Sequence, residues 1–344
     1  MKTKNIAFLG RGNLGFEVLK KLNAEPALVI KVIISCKESV EVGLSQSDFE
    51  KFAINNGILY FSENNINKEF YEKLFDDLSI DIAVGILWLY NISEQIIKST
   101  KYGILNLHGG LLPKYRGNAC QTWAILNEEE KIGVTCHLME GGNFDSGPIV
   151  RQEYFIVDEN DKVGDLIHNI ETIGIGLVIE SVMDFVKNSV NIKIQDEKKS
   201  QYCYPRLPRD GEINWNDSAS NIKKLIRAAG KPYPGAYSYF SDIRDKNLIK
   251  KLIIYECEII EPPYKEINCV PGHLIKLDNG KSWAVKCGDK SLIKLLEVTI
   301  DGKLIQPERI FNSIRQRLGL DINGIIFNLS NRIEALESII KNYR

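Results

Sequence analysis

Three side chains in this sequence could do chemistry together. Asn106 and His108 stand two apart in the apolar run GILNLH (103–108). Asp145 sits in a small-residue loop, Gly141-Gly142-Asn143-Phe144-Asp145-Ser146-Gly147-Pro148. Side chains two apart on a strand point the same way, so a strand over 103–108 puts Asn106 and His108 on one face at its carboxyl end. Gly109-Gly110 lets the backbone turn sharply there, and Pro113 fixes the exit direction. Ligands of open α/β sheets gather at the carboxyl ends of strands. A carboxamide donor beside a group that titrates near neutrality suits attack on a carbonyl. A carboxylate near the imidazole orients the ring and favours its protonated form. Singly, a histidine at a strand end is usually a hydrogen-bonded structural residue and a Gly-Asp loop is usually a turn. The joint pattern, in this order, carries the chemical reading.

The elements that must position these groups alternate. NIAFLG (5–10) reads as a buried strand, and Gly10-Arg11-Gly12-Asn13-Leu14-Gly15 follows, opening a helix over 15–23. This literal G-x-G-x-x-G allows a nicotinamide-binding reading, in which the glycines admit a pyrophosphate to a helix N-terminus. That reading needs an acid at the end of the next strand. ALVIKVIIS ends in Ser35-Cys36-Lys37, with Glu38 one step further out. A tight strand-to-helix turn of a doubly wound sheet is the simpler account, with Gly12 and Asn13 placed to meet a phosphate of some substrate. Helices are expected at 46–56, 68–77, 119–127 and 163–187. Strands are expected at 57–61, 80–88, 103–108, GVTCHLM (133–139) and 149–157. Ser93 is a candidate cap for the helix after Tyr90-Asn91-Ile92. Strand–helix alternation predicts an α/β, Rossmann-like domain with a mostly parallel sheet over 1–190.

The polar stretch 191–208 reads as a linker. After it, a helix over 218–229 ended by Gly230 and several short strands predict a smaller OB-like β-barrel domain over 209–318. The tail 319–344 carries Ile322, Ile325, Leu329, Ile333, Leu336 and Ile340 at helical spacing, a seam that either packs back on the barrel or pairs with a second subunit as a homodimer.

NLHGGLLPKYRG, the GVTCHLM strand and the DSGPI run together resemble the folate-dependent formyltransferases. In the second half INW…NIKKLIRAAGKPYPGAY, PGHLIKLDNG and LIQPERIF look like the carboxyl-terminal barrel of methionyl-tRNA formyltransferases, which the lipid A aminoarabinose formyltransferases share. The resemblance covers about residues 1–318. It implies a mechanism. Asn106 and His108 hold the formyl oxygen, and His108 is also acid and base. Asp145 orients His108, raises its pKa and helps relay the amine's proton. It also implies 10-formyltetrahydrofolate as co-substrate and no metal. The pterin would lie against the backbone of Tyr90, Asn91 and Ile92 and of Gly141, Gly142, Asn143 and Phe144. His137, in the strand before the Asp145 loop, reads as a supporting or structural residue, and His168 and His273 as surface or packing residues.

Composition limits the partners. The formal net charge is −1, with no basic excess to call for nucleic acid or an anionic membrane. Seven cysteines, an odd number without a C-x-x-C pair, fit reduced thiols in a cytoplasm. No run is expected to reach membrane length. Lys114 and Arg116 either meet a substrate phosphate or are solvated loop charges. A tRNA enzyme of this kind carries a basic, Gly-rich loop after the second strand; the matching 36–44 segment holds Lys37 against Glu38 and Glu41. Lys198, Lys199, Arg206 and Arg209 keep a tRNA reading open. Asn118 stands where the aminoarabinose enzymes carry Arg. The reading favoured is transfer of formyl to an amino-sugar nucleotide for an N-formylated surface polysaccharide such as a lipopolysaccharide O-antigen. Methionyl-tRNA formyltransferase and a non-catalytic or NAD-binding Rossmann protein are the alternatives.

Overall fold

A computed structural model describes residues 3–37, 43–241, 248–263, 267–278 and 281–342, which fall into two compact units, 1–206 and 207–344. Glu38 and Glu41 lie outside the described residues.

The first unit is a seven-stranded sheet in the order β3-β2-β1-β4-β5-β7-β8. In chain order its elements are β1 (Lys4–Gly10), α1 (Gly12–Ala24), β2 (Leu28–Ser35), α2 (Gln46–Asn56), β3 (Leu59–Ser62), α3 (Glu69–Asp77), β4 (Ile82–Ile86), α4 (Glu94–Lys98) and β5 (Ile104–His108). Then come β6 (Arg116–Gly117), α5 (Cys120–Leu126), β7 (Lys131–Leu138), β8 (Ile149–Ile156), α6 (Val163–Lys187) and β9 (Tyr202–Cys203). β1 to β5 run parallel, and β7 and β8 join antiparallel. β1 and β4 are apolar along their buried lengths, as strands covered on both faces must be. Ser93 caps α4, its Oγ accepting the Ile96 N–H at 3.4 Å.

Helix α1 starts at Gly12, three residues earlier than expected. Gly10 cannot take a Cβ, which would stand 2.9 Å from the Ile86 carbonyl. The close approach of β1 and β4 thus explains that glycine without a nucleotide.

Two expectations are corrected. Helix α6 is long and apolar enough to cross a membrane by length and composition, with a mean hydropathy of 1.4 over its best window. It is amphipathic nonetheless. Leu166, Ile170, Leu177, Val178, Val182 and Phe185 are buried, and Asp184 and Glu180 on its rim clamp Arg151 of β8 at 2.7 and 2.8 Å. The stretch 191–206 is not a linker. Lys193 bridges Ile149, β9 pairs in parallel with β6, and Gln195 is buried, all within the first unit. Most of its side chains are exposed, which is why it is polar, while its backbone pairings and the buried Gln195 hold it to the first unit.

The second unit contains α7 (Ala219–Ala229), β10 (Ala236–Ser241), β11 (Ile249–Ile260), β12 (Leu274–Leu277), β13 (Ser282–Lys286), β14 (Leu292–Ile300), β15 (Lys303–Ile305), α8 (Pro307–Ile310) and α9 (Ile322–Asn342). Its sheet is antiparallel, in the order β10-β11-β14-β13-β12 with β15 beside β14. The sheet curls around α7, whose Ile222 and Ile226 pack with Trp215, Phe240, Trp283 and Phe311. A six-strand antiparallel sheet this curled is the expected barrel-like second domain.

Candidate active site

Asn106, His108 and Asp145 meet at the carboxyl end of β5. The strand is buried between β4 and β7, with Asn106 facing Gly85 on one side and His137 on the other. The Asn106 amide nitrogen lies 3.0 Å from His137 Nε2 and donates to Asp145 Oδ1 at 3.5 Å. Asp145 Oδ2 stands 3.4 Å from His108 Nδ1, and Oδ1 stands 3.3 Å from His137 Nε2. His108 is 7% exposed and His137 1%. A strand alternation predicts the Asn106–His108 pairing; only the antiparallel β5–β7 register adds His137, because Asn106 and His137 are direct cross-strand partners.

The turn after β5 wraps the imidazole. His108 Nε2 lies 2.5 Å from the Tyr115 carbonyl, so the ring carries a proton there and donates. Tyr115 adopts a left-handed φ of 60° to aim that carbonyl inward. A Cβ on Gly110 would stand 2.4 Å from the Tyr115 carbonyl oxygen and 2.6 Å from His108 Nε2, so only glycine permits this wrap. The Cys120 thiol donates to the same carbonyl at 3.0 Å. Thr135 Oγ1 donates to the Gly110 carbonyl at 2.7 Å, and Gln152 reaches both Thr135 and the Leu112 carbonyl.

A separate set of bonds seats Asp145. The Gly117 N–H donates to Asp145 Oδ2 at 2.8 Å. Gln195 Nε2 donates to the carbonyls of Asp145 and Gly147 at 2.8 and 2.6 Å. Gln195 Oε1 in turn accepts from Arg116 Nε and Nη2 at 3.1 and 2.9 Å. Arg116 is fully buried and also bonds Glu197 and Tyr202. Its guanidinium is neither a solvated loop charge nor turned outward to a phosphate: it braces the Asp145 loop through Gln195. The isolated Gln195, inside a polar stretch, carried no sequence signal for this role. Lys114 is exposed, by contrast.

The charges follow from the burial. Burial pushes the His108 pKa down, and Asp145 and the Tyr115 carbonyl push it up; burial wins, so it lies below its ordinary 6.5. Asp145 does raise it, as expected, but burial outweighs that contribution. Burial also pushes Asp145 up, but His108, His137 and the Gly117 N–H together hold it well below the usual carboxylate range. The result is an ionised carboxylate against an imidazole whose Nδ1 is free to take a proton. Both ring nitrogens of His108 and the amide nitrogen of Asn106 face protein groups, but Asn106 is only half-buried where His108 is almost wholly enclosed.

The rim is built from two loops. Ile92 is buried in the core while Asn91 is exposed, and Tyr90 packs edge-on against Trp88. Glu94 Oε2 accepts the Gly141 N–H at 3.1 Å, which ties the 90–92 loop to the 141–145 loop; Glu94 was not foreseen. Gly142, Asn143 and Phe144 are exposed, Phe144 by 63%. Gly12 is buried under the first turn, and Asn13 Oδ1 accepts the Leu44 N–H at 3.1 Å. Among the described residues no cluster of His, Cys, Asp and Glu is arranged to hold a metal ion.

Comparison with known proteins agrees with this geometry. The formyl transferase family model matches residues 4–182, and that of the formyl transferase C-terminal domain matches 207–315. The bifunctional polymyxin resistance protein ArnA of Wigglesworthia glossinidia brevipalpis is 31% identical over 96% of this chain, which spans about half (51%) of that relative's length. The methionyl-tRNA formyltransferase of Thermodesulfovibrio yellowstonii is 28% identical over 91% of this chain and 97% of its own. The N-formyltransferase of Helicobacter canadensis, solved with folinic acid and dTDP-3-aminofucose, shares the fold with a TM-score of 0.60 at 20% identity, over 86% of this chain and 99% of that one. With both family models matched in order, this chain belongs to the formyl transferase family and is an N-formyltransferase.

Proposed function

We propose that the enzyme moves a formyl group from 10-formyltetrahydrofolate to the amine of an amino-sugar nucleotide, in the cytoplasm, for an N-formylated surface polysaccharide. The observation that carries the acceptor class is the 36–44 segment, which follows β2 and holds Glu38 and Glu41 against a single Lys37. A surface that must grip tRNA phosphates needs cations there. The dTDP-sugar bound by the Helicobacter relative supports the same class.

The residues present fit a flat folate ring. The Glu94–Gly141 bond joins two loops that offer backbone edges and one exposed aromatic, Phe144. When bound, the donor supplies the formyl carbon and its carbonyl oxygen. Asn106 Nδ2 donates to the oxygen as it gains charge, and its position is set beforehand by His137 and Asp145. Asp145 accepts from the attacking amine and passes the proton to His108 Nδ1, the more basic of the two once the imidazole is neutral, and the same proton returns through Asp145 to the donor's nitrogen as its bond to the formyl carbon breaks. The Tyr115 carbonyl holds the ring so that Nδ1 faces Asp145.

Supplying 10-formyltetrahydrofolate with a panel of amino-sugar nucleotides and reading the mass of each sugar tests this proposal. At least one sugar gains one formyl group. If no sugar gains it and methionyl-tRNA does, the acceptor class is wrong.

A further inference from the structure

The chain is held to the second unit's core as far as Gly319. Leu318 is buried and its N–H donates to the Gly272 carbonyl at 2.9 Å, while Gly319 donates to Tyr239 at 2.8 Å. Asp321 then starts α9, accepting the Gly324 N–H on its side chain and the Ile325 N–H on its carbonyl, each at 2.9 Å. From there the helix does not pack back on the barrel. Ile326, Ile333 and Ile340 are each 56% exposed, and Ile322, Leu329 and Leu336 are 62%, 49% and 59% exposed. A 21-residue helix with that much apolar surface in water requires a cover.

Two features say what the cover is. Six of the eight exposed large hydrophobics of the helix, all but Phe327 and Ile339 on its flanks, are spaced four, three, four, three and four apart, the alternation of a heptad seam. Ile326 takes the place in the seam that the sequence reading assigned to Ile325, which is partly buried. One set, Ile326, Ile333 and Ile340, is uniformly β-branched. The other, Ile322, Leu329 and Leu336, carries leucine at two of three places. β-branched residues at the first core position with leucine at the second favour two parallel strands. The flanks agree. Arg332 directly precedes the core position of Ile333, and Glu337 directly follows that of Leu336, five residues on. In a parallel, in-register pair those two positions face each other across the seam, so Arg332 meets Glu337 of the partner subunit, twice by the two-fold axis. An antiparallel pairing about Arg332 would bring like charges together.

We propose that α9 forms a parallel two-stranded coiled coil with α9 of a second copy of this chain. The interface is carried by the helix alone and is independent of which amine the enzyme formylates.

Sedimentation equilibrium of the full chain tests the proposal. The expected result is a concentration-dependent dimer across the micromolar range. The variant Ile326→Glu/Ile333→Glu/Ile340→Glu sediments as a monomer with unchanged formyl transfer, since none of these side chains belongs to either core. Arg332→Glu weakens the dimer severalfold, and adding Glu337→Arg restores it. Ile333→Cys, mildly oxidised, gives a disulfide-linked dimer on a denaturing gel that the parent chain, with its seven native cysteines, does not give. A monomeric parent chain overturns the proposal, as does a dimer that survives the triple substitution. A trimer, no rescue by the charge swap, or no cross-link at 333 overturns the parallel two-stranded arrangement. A parent chain that stays monomeric and binds phospholipid vesicles would show that a bilayer is the cover instead.

Discussion

The buried cluster and the rim around it are built in opposite ways. Asn106, His108, His137 and Asp145 bond one another or nearby backbone, and the two histidines are almost wholly enclosed. The rim residues Asn91, Gly142, Asn143 and Phe144 are exposed, and one bond, Glu94 to Gly141, ties its two loops. Groups that must be in place before a transition state forms are fixed by packing, because reorganisation during the reaction would raise the barrier. Groups that only have to accept a ligand can stay open to water. Damage to the cluster should therefore appear in kcat, and damage to the rim in KM.

The sharpest break is Asp145→Asn. The amide keeps the size and can still accept the Gly117 N–H, so folding holds, but it cannot take up a proton. The expected fall in kcat is between about 10²- and 10⁴-fold, the usual range for a lost acid–base group, with donor KM little changed. Single-turnover formylation measures it, and near-wild-type turnover would remove Asp145 from the chemistry.

Gln195→Ala comes next. Gln195 touches no rim side chain and no reacting side chain, yet its loss leaves the Arg116 guanidinium short of an acceptor and frees the Asp145 backbone. Unfolding in denaturant should show a loss of about 1–3 kcal/mol, with a smaller drop in kcat than Asp145→Asn and no change in KM. A KM effect alone would mean that Gln195 belongs to the rim.

Acid should separate the two regions as well. The folded pKa of His108 is depressed, so below its ordinary 6.5 the unfolded chain takes the proton first. Stability from this group is present above pH 6.5 and is lost as pH falls through the depressed value. Asp145, also depressed, adds stability above 3.8 that is lost further into acid. Tm should fall as pH drops from 7 to 5, and His108→Gln should flatten that fall. An unchanged slope would place the acid sensitivity elsewhere. The smallest effect is expected for Phe144→Ala, a few-fold rise in donor KM at constant kcat, measured by steady-state kinetics.

Much of this was legible in the residues. The period-two spacing of Asn106 and His108 and the Gly-Gly turn place both groups at a strand end. The apolar period of α6 matches its observed span of 163–187. The reading failed where polar residues serve the interior. Arg116 looks like a surface charge by type, and 191–208 looks like a linker by composition, yet Arg116 and Gln195 are buried against the Asp145 loop and residues up to 206 belong to the first unit. Periodicity reports apolar faces, and it is silent about a polar group whose partner is about 80 residues away.

Taken alone, the order of residues determined which elements form and which three side chains could do carbonyl chemistry, because both follow from local spacing and backbone freedom. Tertiary structure alone decided that His137 joins them, that Arg116 and Gln195 seat Asp145, and that burial outweighs the carboxylate in setting the His108 pKa. Those outcomes depend on distances between segments far apart in the chain and on how much water the packed sheet excludes, and neither quantity is written in any stretch of sequence.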